Sequence, residues 1–180
     1  MDYSFSTFAT LTKDRIAEAL RACLKSKKTP IIVCIGSDLV LGDSLGPLVG
    51  TMLKKKNLET YVYGTLNHPI TAKEVEYARK YIKLMHPNSM IIAIDAAVGD
   101  EDDVGLLRLL NKGLKPGLGV NKNLSAIGDL SIIGIVAEKS SQNFKLFNLT
   151  RLNLVYKMAE TIADGIELCL DKNEKSTKVI

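Results

Sequence analysis

The amino-acid sequence predicts an α/β protein whose central sheet is mostly parallel and is covered by helices on both faces. Apolar runs of strand length alternate along the chain with amphipathic segments of helix length, which is typical of this class. The run from Met90 to Asp95 is apolar on both faces up to its carboxylate, as expected of a central parallel strand. The 180 residues and the 46% hydrophobic content suffice for one core, so we expect a single domain over 1–172 and a frayed polar tail over 173–180.

The helices are assigned from apolar positions that recur every three or four residues, and the strands from short apolar, β-branched runs. In chain order, the predicted elements are a helix over 11–24, a strand over 31–35, a helix over 44–56, a strand over 60–66, a helix over 71–86, strands over 90–95, 106–110 and 130–136, and a helix over 149–170. Pro47 is compatible with the second helix because an amide in the first turn has no intrahelical partner.

Thr71 and Glu74 form a capping-box pattern at the start of the third helix. The side chains expected to face inward from that helix are Val75, Tyr77 or Ala78, Ile82, and Leu84 or Met85.

Composition excludes several classes of function. The formal net charge of +4 is spread over helical faces and the tail, so we expect no nucleic-acid partner. The amino end lacks a basic signal region and no apolar run is long enough to cross a bilayer, so we expect a soluble protein without a membrane partner. Cys23, Cys34 and Cys169 form an odd set without CxxC spacing, which predicts free thiols and a cytoplasmic location.

The chemistry-bearing stretch is the loop from Gly36 to Pro47, which joins the first strand to the second helix and carries Asp38 and Asp43. In a parallel sheet the carboxyl ends of the strands lie at one edge, where ligands bind in a crevice. Asp95, at the end of a later strand, is therefore expected to lie near the two loop aspartates.

Known loop motifs fit this stretch poorly. Its glycines are too far apart for a dinucleotide fingerprint, and an aspartate replaces the lysine of a phosphate-binding P-loop. Residues 42–46, Gly-Asp-Ser-Leu-Gly, match the nucleophile elbow of serine hydrolases, but neither His68 nor His86 is placed to take the proton from Ser44. A helix cap is the simpler interpretation of Ser44.

A metal site is a further alternative at the same edge of the sheet. His68 follows the second strand in a turn, and together with Asp43 and Asp95 it could hold a divalent metal. The acidic run 100–103 lacks the spacing and the central glycine of a calcium loop and is interpreted as a solvated turn. We expect no cofactor, and the three-residue metal site is the weaker alternative.

Residues 36–47, Gly-Ser-Asp-Leu-Val-Leu-Gly-Asp-Ser-Leu-Gly-Pro, resemble the Gly-Asn-x-x-x-Thr-Pro-Asp-Ala-Leu-Gly-Pro stretch of the spore germination protease. More distantly, they resemble the Gly-Asn-x-Leu-x-x-Asp-(Asp/Glu)-x-x-Gly loop of hydrogenase maturation endopeptidases. Asp43 falls on the functional carboxylate of both without a gap. Residues 92–96, Ile-Ala-Ile-Asp-Ala, resemble the Ile-Ala-Val-Asp-Ala block of the germination protease, and Asp95 falls on its second catalytic aspartate.

Two further blocks extend the resemblance. Residues 113–120 resemble a Gly-Ile-His-Pro-Gly-Ser-Gly-Val loop of the same protease, with Lys115 in place of its histidine. Gly-Asp-Ser-Leu-Gly-Pro, Lys-Pro-Gly-x-Gly-Val and Gly-Asp-x-x-Ile-x-Gly-Ile-Val recur in the short sporulation protein family called YyaC, and the last of these is found here at 128–136. Members of that family are regarded as spore proteases.

The resemblance implies a three-layer, phosphorylase/hydrolase-like fold and a sporulation-associated endopeptidase that cuts a spore protein, in the cytoplasm of a spore-forming cell or in the spore interior. Asp43 and Asp95 are then its catalytic pair. Two carboxylates in one site cannot both ionise at low cost, so one serves as acid and the other as base. The loop residues expected to shape the site or bind substrate are Gly36, Ser37, Asp38, Gly42, Ser44, Gly46, His68, Lys115, Gly117 and Gly119.

Two alternatives to an aspartate-dependent peptidase stay open. One is a catalytically inactive relative that keeps the cleft in order to bind a peptide or a partner protein. The weaker one is a serine esterase that uses Ser44. The expected partner is a protein or peptide substrate, and the sequence leaves open whether the chain forms a homo-oligomer.

Overall fold

The computed structural model describes residues 2–24, 29–116, 125–139 and 149–171. In chain order, its elements are β1 (Tyr3–Ser6), α1 (Thr12–Cys23), β2 (Ile31–Cys34), a 3-10 turn (Leu41–Ser44), α2 (Leu45–Lys55), β3 (Val62–Tyr63), α3 (Val75–Met85), β4 (Ile91–Gly99), a second 3-10 turn (Glu101–Asp103), β5 (Leu106–Leu110), β6 (Leu130–Glu138) and α4 (Leu152–Leu170). The predicted tail at 173–180 lies outside these ranges.

The six strands form one sheet in the order β1-β5-β6-β4-β2-β3. Strands β3, β2, β4 and β6 run parallel to their neighbours, whereas β5 is antiparallel to both β6 and β1. The predicted α/β class with a mostly parallel central sheet is therefore confirmed.

Alternation along the central strands produces the three layers, because successive side chains of a strand point to opposite faces. Ile32 and Cys34 of β2 belong to the core cluster that contains α1, α2 and α4. Ile31 and Val33 belong to the cluster on the other face, where α3 packs. A strand that is apolar at every position, as β2 is, requires helices on both sides.

The structure corrects several predicted details. The strand predicted over 60–66 is reduced to Val62–Tyr63, because Thr65 and His68 exchange backbone hydrogen bonds of 3.1 and 3.2 Å that close a turn. Strand β1 was not predicted, and the last helix begins at Leu152 instead of Leu149. The expected inward position of Leu84 or Met85 was wrong, since both are exposed beyond the end of the core layer.

The start of α3 and the three cysteines allow further comparison with the sequence. The Glu74 carboxylate accepts a hydrogen bond from the Thr71 amide, which is one half of a capping box, but the Thr71 hydroxyl accepts from the Lys73 amide and the helix begins at Val75 instead of at 71. Cys23, Cys34 and Cys169 are free cysteines. Within the described ranges, no helix combines the length and the apolar character needed to cross a membrane.

Candidate active site

Asp43 lies in the 3-10 turn that follows the carboxyl end of β2. The turn folds back on the strand end, because the Ser37 amide donates a 3.1 Å hydrogen bond to the Asp43 carbonyl oxygen. The Asp43 amide in turn donates to the carbonyl oxygen of Val40 at 2.9 Å. These two bonds fix the backbone on both sides of the Asp43 side chain.

Two glycines make this close approach possible. Gly36 has a φ of +140°, and a Cβ added there would lie 2.0 Å from the Asp43 carbonyl oxygen. A Cβ added to Gly46 would lie 2.0 Å from the carbonyl oxygen of Ile35. Any larger residue at either position would separate the turn and α2 from the strand end. Gly42 is buried inside the 3-10 turn without a positive φ.

Asp95 lies on β4, immediately after the last β4 residue that pairs with β2. Its Oδ1 accepts a 2.9 Å hydrogen bond from the amide of Ala96. The 3-10 turn that carries Asp43 packs against β4, so two residues 52 positions apart in the chain meet at one edge of the sheet. Asp43 and Asp95 are both half-buried.

The electrostatics of the two carboxyl groups are coupled. Burial raises the pKa of Asp43 to about 6, and a hydrogen bond from the Ser37 amide opposes that rise. Burial raises the pKa of Asp95 well above its usual range, and the negative charge of Asp43 raises it further. The Ala96 amide lowers the Asp95 pKa only in part. Both carboxyl groups are therefore harder to ionise than an ordinary aspartate, and the charge of Asp43 acts against ionisation of Asp95.

Ser44 does not form the arrangement of a serine nucleophile. Its hydroxyl donates a 2.6 Å hydrogen bond to the carbonyl oxygen of Leu41, and the residue is buried. Ser44 stands at the N-cap position of α2, but its side chain makes no capping bond, so the predicted cap is wrong in its detail. His86 is hydrogen-bonded through Nε2 to the Tyr63 hydroxyl at 2.8 Å.

His68 is exposed in the turn after β3. It lines a cavity of about 420 Å³ between that turn and α3, together with Tyr63, Tyr77 and Tyr81. Across the part of the chain that the structure describes, no three His, Cys, Asp or Glu side chains are grouped so that they could hold a metal ion. The donor set at the crevice is thus two carboxylates, and His68 does not complete it.

The remaining predicted site residues have mixed positions. The Ser37 hydroxyl oxygen accepts a 3.2 Å hydrogen bond from the Leu39 amide, and Asp38 is exposed at the tip of the loop. Lys115 is exposed beside Leu114, whose backbone pairs with Ile127 on the sheet face covered by α3. Gly117 and Gly119 lie outside the described residues.

The groups that the sequence did not reveal are backbone groups. The Ala96 amide donates to the Asp95 carboxyl group, and the Ser37 amide, which donates to the Asp43 carbonyl oxygen, also lowers the pKa of the Asp43 carboxyl group. An amide carries no signal in the identity of its own residue. The glycines of the turn are the one sequence signal related to the Ser37 amide, because they allow the close approach of the turn to the strand end.

Fold and site together define an α/β protein in which the ends of parallel strands present two coupled, half-buried aspartates. Residues 7–165 match the family described as "Protein of unknown function (DUF1256)", and the chain belongs to that family. It is 43% identical over 142 residues to the "Uncharacterized protein YyaC" of Bacillus subtilis (strain 168), a match that covers 78% of this chain and 69% of the relative.

A solved structure is also similar. The crystal structure of a [NiFe] hydrogenase maturation protease, HycI, from Thermococcus kodakarensis KOD1 aligns with a TM-score of 0.47 and 18% identity, over 83% of this chain and 99% of that one. A similarity at this level does not by itself assign an activity.

Proposed function

We propose that this protein is a sporulation-associated endopeptidase that hydrolyses a spore protein with Asp43 and Asp95. The observation that carries the proposal is the pair of carboxyl groups whose pKa values are both raised, with Asp95 higher because it faces the charge of Asp43. Perturbed carboxyl groups in a crevice at strand ends are typical of acid-base chemistry. The sporulation context is supported by the sequence blocks shared with the germination protease and the YyaC family.

The environments of the two groups suggest their roles. Asp43 is ionised above about pH 6 and accepts a proton from the attacking water, which then bonds to the peptide carbonyl carbon. Asp95 keeps its proton at neutral pH and donates it to the peptide carbonyl oxygen. In the collapse of the tetrahedral intermediate, Asp43 returns its proton to the leaving amine and Asp95 recovers one from the hydroxyl. No cofactor takes part in these steps.

The pH dependence follows from this assignment. We expect kcat/KM to rise as the pH increases through about 6, because Asp43 must lose its proton to act as the base. At higher pH, kcat/KM should fall when Asp95 loses its proton, which gives a bell-shaped profile. A profile that is flat between pH 5 and pH 7 would contradict the role of Asp43.

The direct experiment is to incubate the purified protein with small spore proteins and to identify new chain ends by mass spectrometry. We expect Asp43→Asn and Asp95→Asn each to lower the cleavage rate by roughly 10² or more, which is the usual contribution of a general acid or base. Asp102→Asn is the matched control, since Asp102 is an exposed aspartate in the acidic turn after β4. Equal cleavage by the wild type and Asp43→Asn would refute the assignment.

The two alternatives give different results in the same experiments. A catalytically inactive relative would bind the spore proteins without cutting them, at any pH. A serine esterase would be labelled at Ser44 by a fluorophosphonate probe. We expect no such labelling, because the Ser44 hydroxyl is buried and bonded to the Leu41 carbonyl oxygen.

A further inference from the structure

Strand β4 is longer than the strand beside it. Pairing between β2 and β4 ends at Cys34 and Ile94, whereas β4 continues from Asp95 to Gly99 paired with β6, with a register shift between Ala97 and Val98. The strand was predicted to end at Asp95, so this extension was not foreseen. Beyond Asp95, none of the described strands pairs with the edge of β4 that faces away from β6.

The direction of the backbone groups along this edge follows from the hydrogen bonds made earlier in the strand. The carbonyl oxygens of Met90 and Ile94 accept hydrogen bonds of 2.8 Å from the amides of Ile31 and Ile35 on β2. Because backbone groups alternate between the two edges of a strand, those of Ala96 and Val98 point to the same side. They point to the space that β2 would fill if it continued.

The chain of β2 leaves that space at Gly36. With a φ of +140°, Gly36 turns the backbone away, and its amide donates a 3.0 Å hydrogen bond to the carbonyl oxygen of Ile70. Ile35 and Ile70 form an isolated parallel bridge at the same level. The strand end is thus drawn toward the β3 side, and no described strand lies beside the edge of β4 from Asp95 to Gly99, which we call the lane.

One backbone group in the lane already has a partner. The Ala96 amide donates to the Asp95 carboxyl group at 2.9 Å. Two other backbone groups point to the lane, the carbonyl oxygen of Ala96 and the amide of Val98. Neither forms a backbone hydrogen bond with another described residue on this side. In a parallel ladder, one residue of the added strand bonds to two groups spaced in this way, through its own amide and carbonyl.

We infer that an extended segment of the substrate binds as an added strand, parallel to β4, with one of its residues bonded to the Ala96 carbonyl oxygen and the Val98 amide. This is strand addition to a sheet edge, in which the main chain provides the affinity. The occupant is an unfolded or locally extended polypeptide, since a folded helix cannot offer these groups. The inference rests on the proposed function, because the added strand passes beside Asp95 and Asp43 at the start of the lane.

Amide hydrogen exchange of the Val98 N–H, followed by NMR on the full chain, tests strand addition without requiring cleavage. The probe is a library of randomised, end-capped decapeptides, added to the Asp43→Asn variant so that the peptides persist. We expect exchange at Val98 to slow by about tenfold, whereas the amides of Ala97 and Gly99, which point toward β6, should not change. Unchanged exchange at Val98 with saturating peptide would overturn the inference.

A proline variant supplies the second test. Val98→Pro removes the one amide that the added strand needs and leaves the ladder with β6 intact, so we expect KM to rise by about tenfold with little change in kcat. Ser4→Pro is the matched control: it places a proline on β1, the opposite edge strand, where Ser4 is exposed. Thermal unfolding verifies that both variants fold.

The outcomes separate the two proposals. If the wild type and Val98→Pro cleave with the same KM, strand addition is wrong while the peptidase assignment stands. If the wild type cleaves nothing but peptides slow exchange at Val98, the binding lane is supported and the peptidase assignment fails. If Ser4→Pro raises KM as much as Val98→Pro does, the effect is a general consequence of proline and strand addition is refuted.

Discussion

Two neighbouring units of the sheet have the same architecture but differ in whether their polar side chains are paired. The first is β2 with its loop and α2, and the second is β3 with its turn and α3. In the first, the carboxyl group of Asp43 is half-buried, no cation among the described residues offsets that burial, and burial raises its pKa to about 6. In the second, the Tyr63 hydroxyl bonds to His86, and Glu76 forms a 2.7 Å ion pair with Arg79.

The two units differ in whether their polar side chains are paired, and this difference indicates which unit is the better candidate for chemistry. A buried, unbalanced carboxylate lowers the stability of the folded state, and such a group persists where it serves a function. The second unit has two histidines and several tyrosines, which attract more attention in the sequence, yet its polar side chains are paired or face solvent.

The largest effect is expected from Gly36→Ala in the first unit. The added Cβ would lie 2.0 Å from the Asp43 carbonyl oxygen at a φ of +140°, so we expect the free energy of unfolding to fall by about 3 kcal/mol or more. Gly105→Ala is the control. A φ of +97° would strain an alanine there too, but the added Cβ would lie 4.0 Å from Leu154 Cδ1, so it would not clash. It should cost about 1 kcal/mol. Urea denaturation measures both, and equal losses would contradict a clash at Gly36.

The next largest effect is expected from Asp43→Asn, with a sign that depends on pH. A folded-state pKa of about 6 exceeds the unfolded value, so Asp43 costs stability as the pH rises through the window between them. Asp43→Asn should therefore stabilise the protein by on the order of 1 to 3 kcal/mol at pH 7.5 and have little effect at pH 4. Unfolding curves at the two pH values check this, and a gain that does not change with pH would count against a buried ionised carboxylate.

Tyr63→Phe tests the second unit. It removes the hydroxyl that bonds to His86 Nε2 at 2.8 Å, and we expect the free energy of unfolding to fall by about 1 kcal/mol. His86→Asn and the double variant complete a mutant cycle, measured by urea denaturation. A coupling energy of zero between the two positions would show that the bond contributes nothing to folding.

The smallest effect is expected from Glu74→Gln, and its pH dependence is opposite to that of Asp43. The hydrogen bond from the Thr71 side chain holds the pKa of Glu74 below its usual value. The ionised form therefore adds stability above the unfolded pKa, and that stability is lost as the pH falls through the folded value. Because Glu74 is exposed, Glu74→Gln should cost only about 0.3 kcal/mol at pH 7. If Glu74→Gln stabilised the protein at pH 7, the ionised Glu74 would not contribute to stability, which would contradict this prediction.

The central parallel strands and their helices could be predicted from the sequence because their signal is local. Ile31 to Ile35 is apolar at every position, and the helices repeat their apolar residues at helical spacing. Strand β1 escaped prediction because Tyr-Ser-Phe-Ser is short and gains its order from pairing with β5, over 100 residues away. Tertiary pairing also extends β4 to Gly99, since β6 stays beside it through Glu138.

The candidate site was predictable in its residues but not in its electrostatics. The crossover geometry of parallel strands was enough to expect Asp38, Asp43 and Asp95 at one edge of the sheet, and the resemblance to the germination protease singled out Asp43 and Asp95. Which of the two holds a proton depends on burial, on the amides of Ser37 and Ala96 and on the charge of the partner, none of which the sequence records.

Asp43 and Asp95 are expected to act on each other as a pair. Carbon-13 NMR titration of the Asp95 carboxyl group, in the wild type and in Asp43→Asn, tests it most directly. In the wild type we expect an Asp95 pKa well above the usual range, and in Asp43→Asn a clearly lower pKa, because the neighbouring negative charge is gone while the burial remains. An Asp95 pKa that is the same in both proteins would contradict the pair.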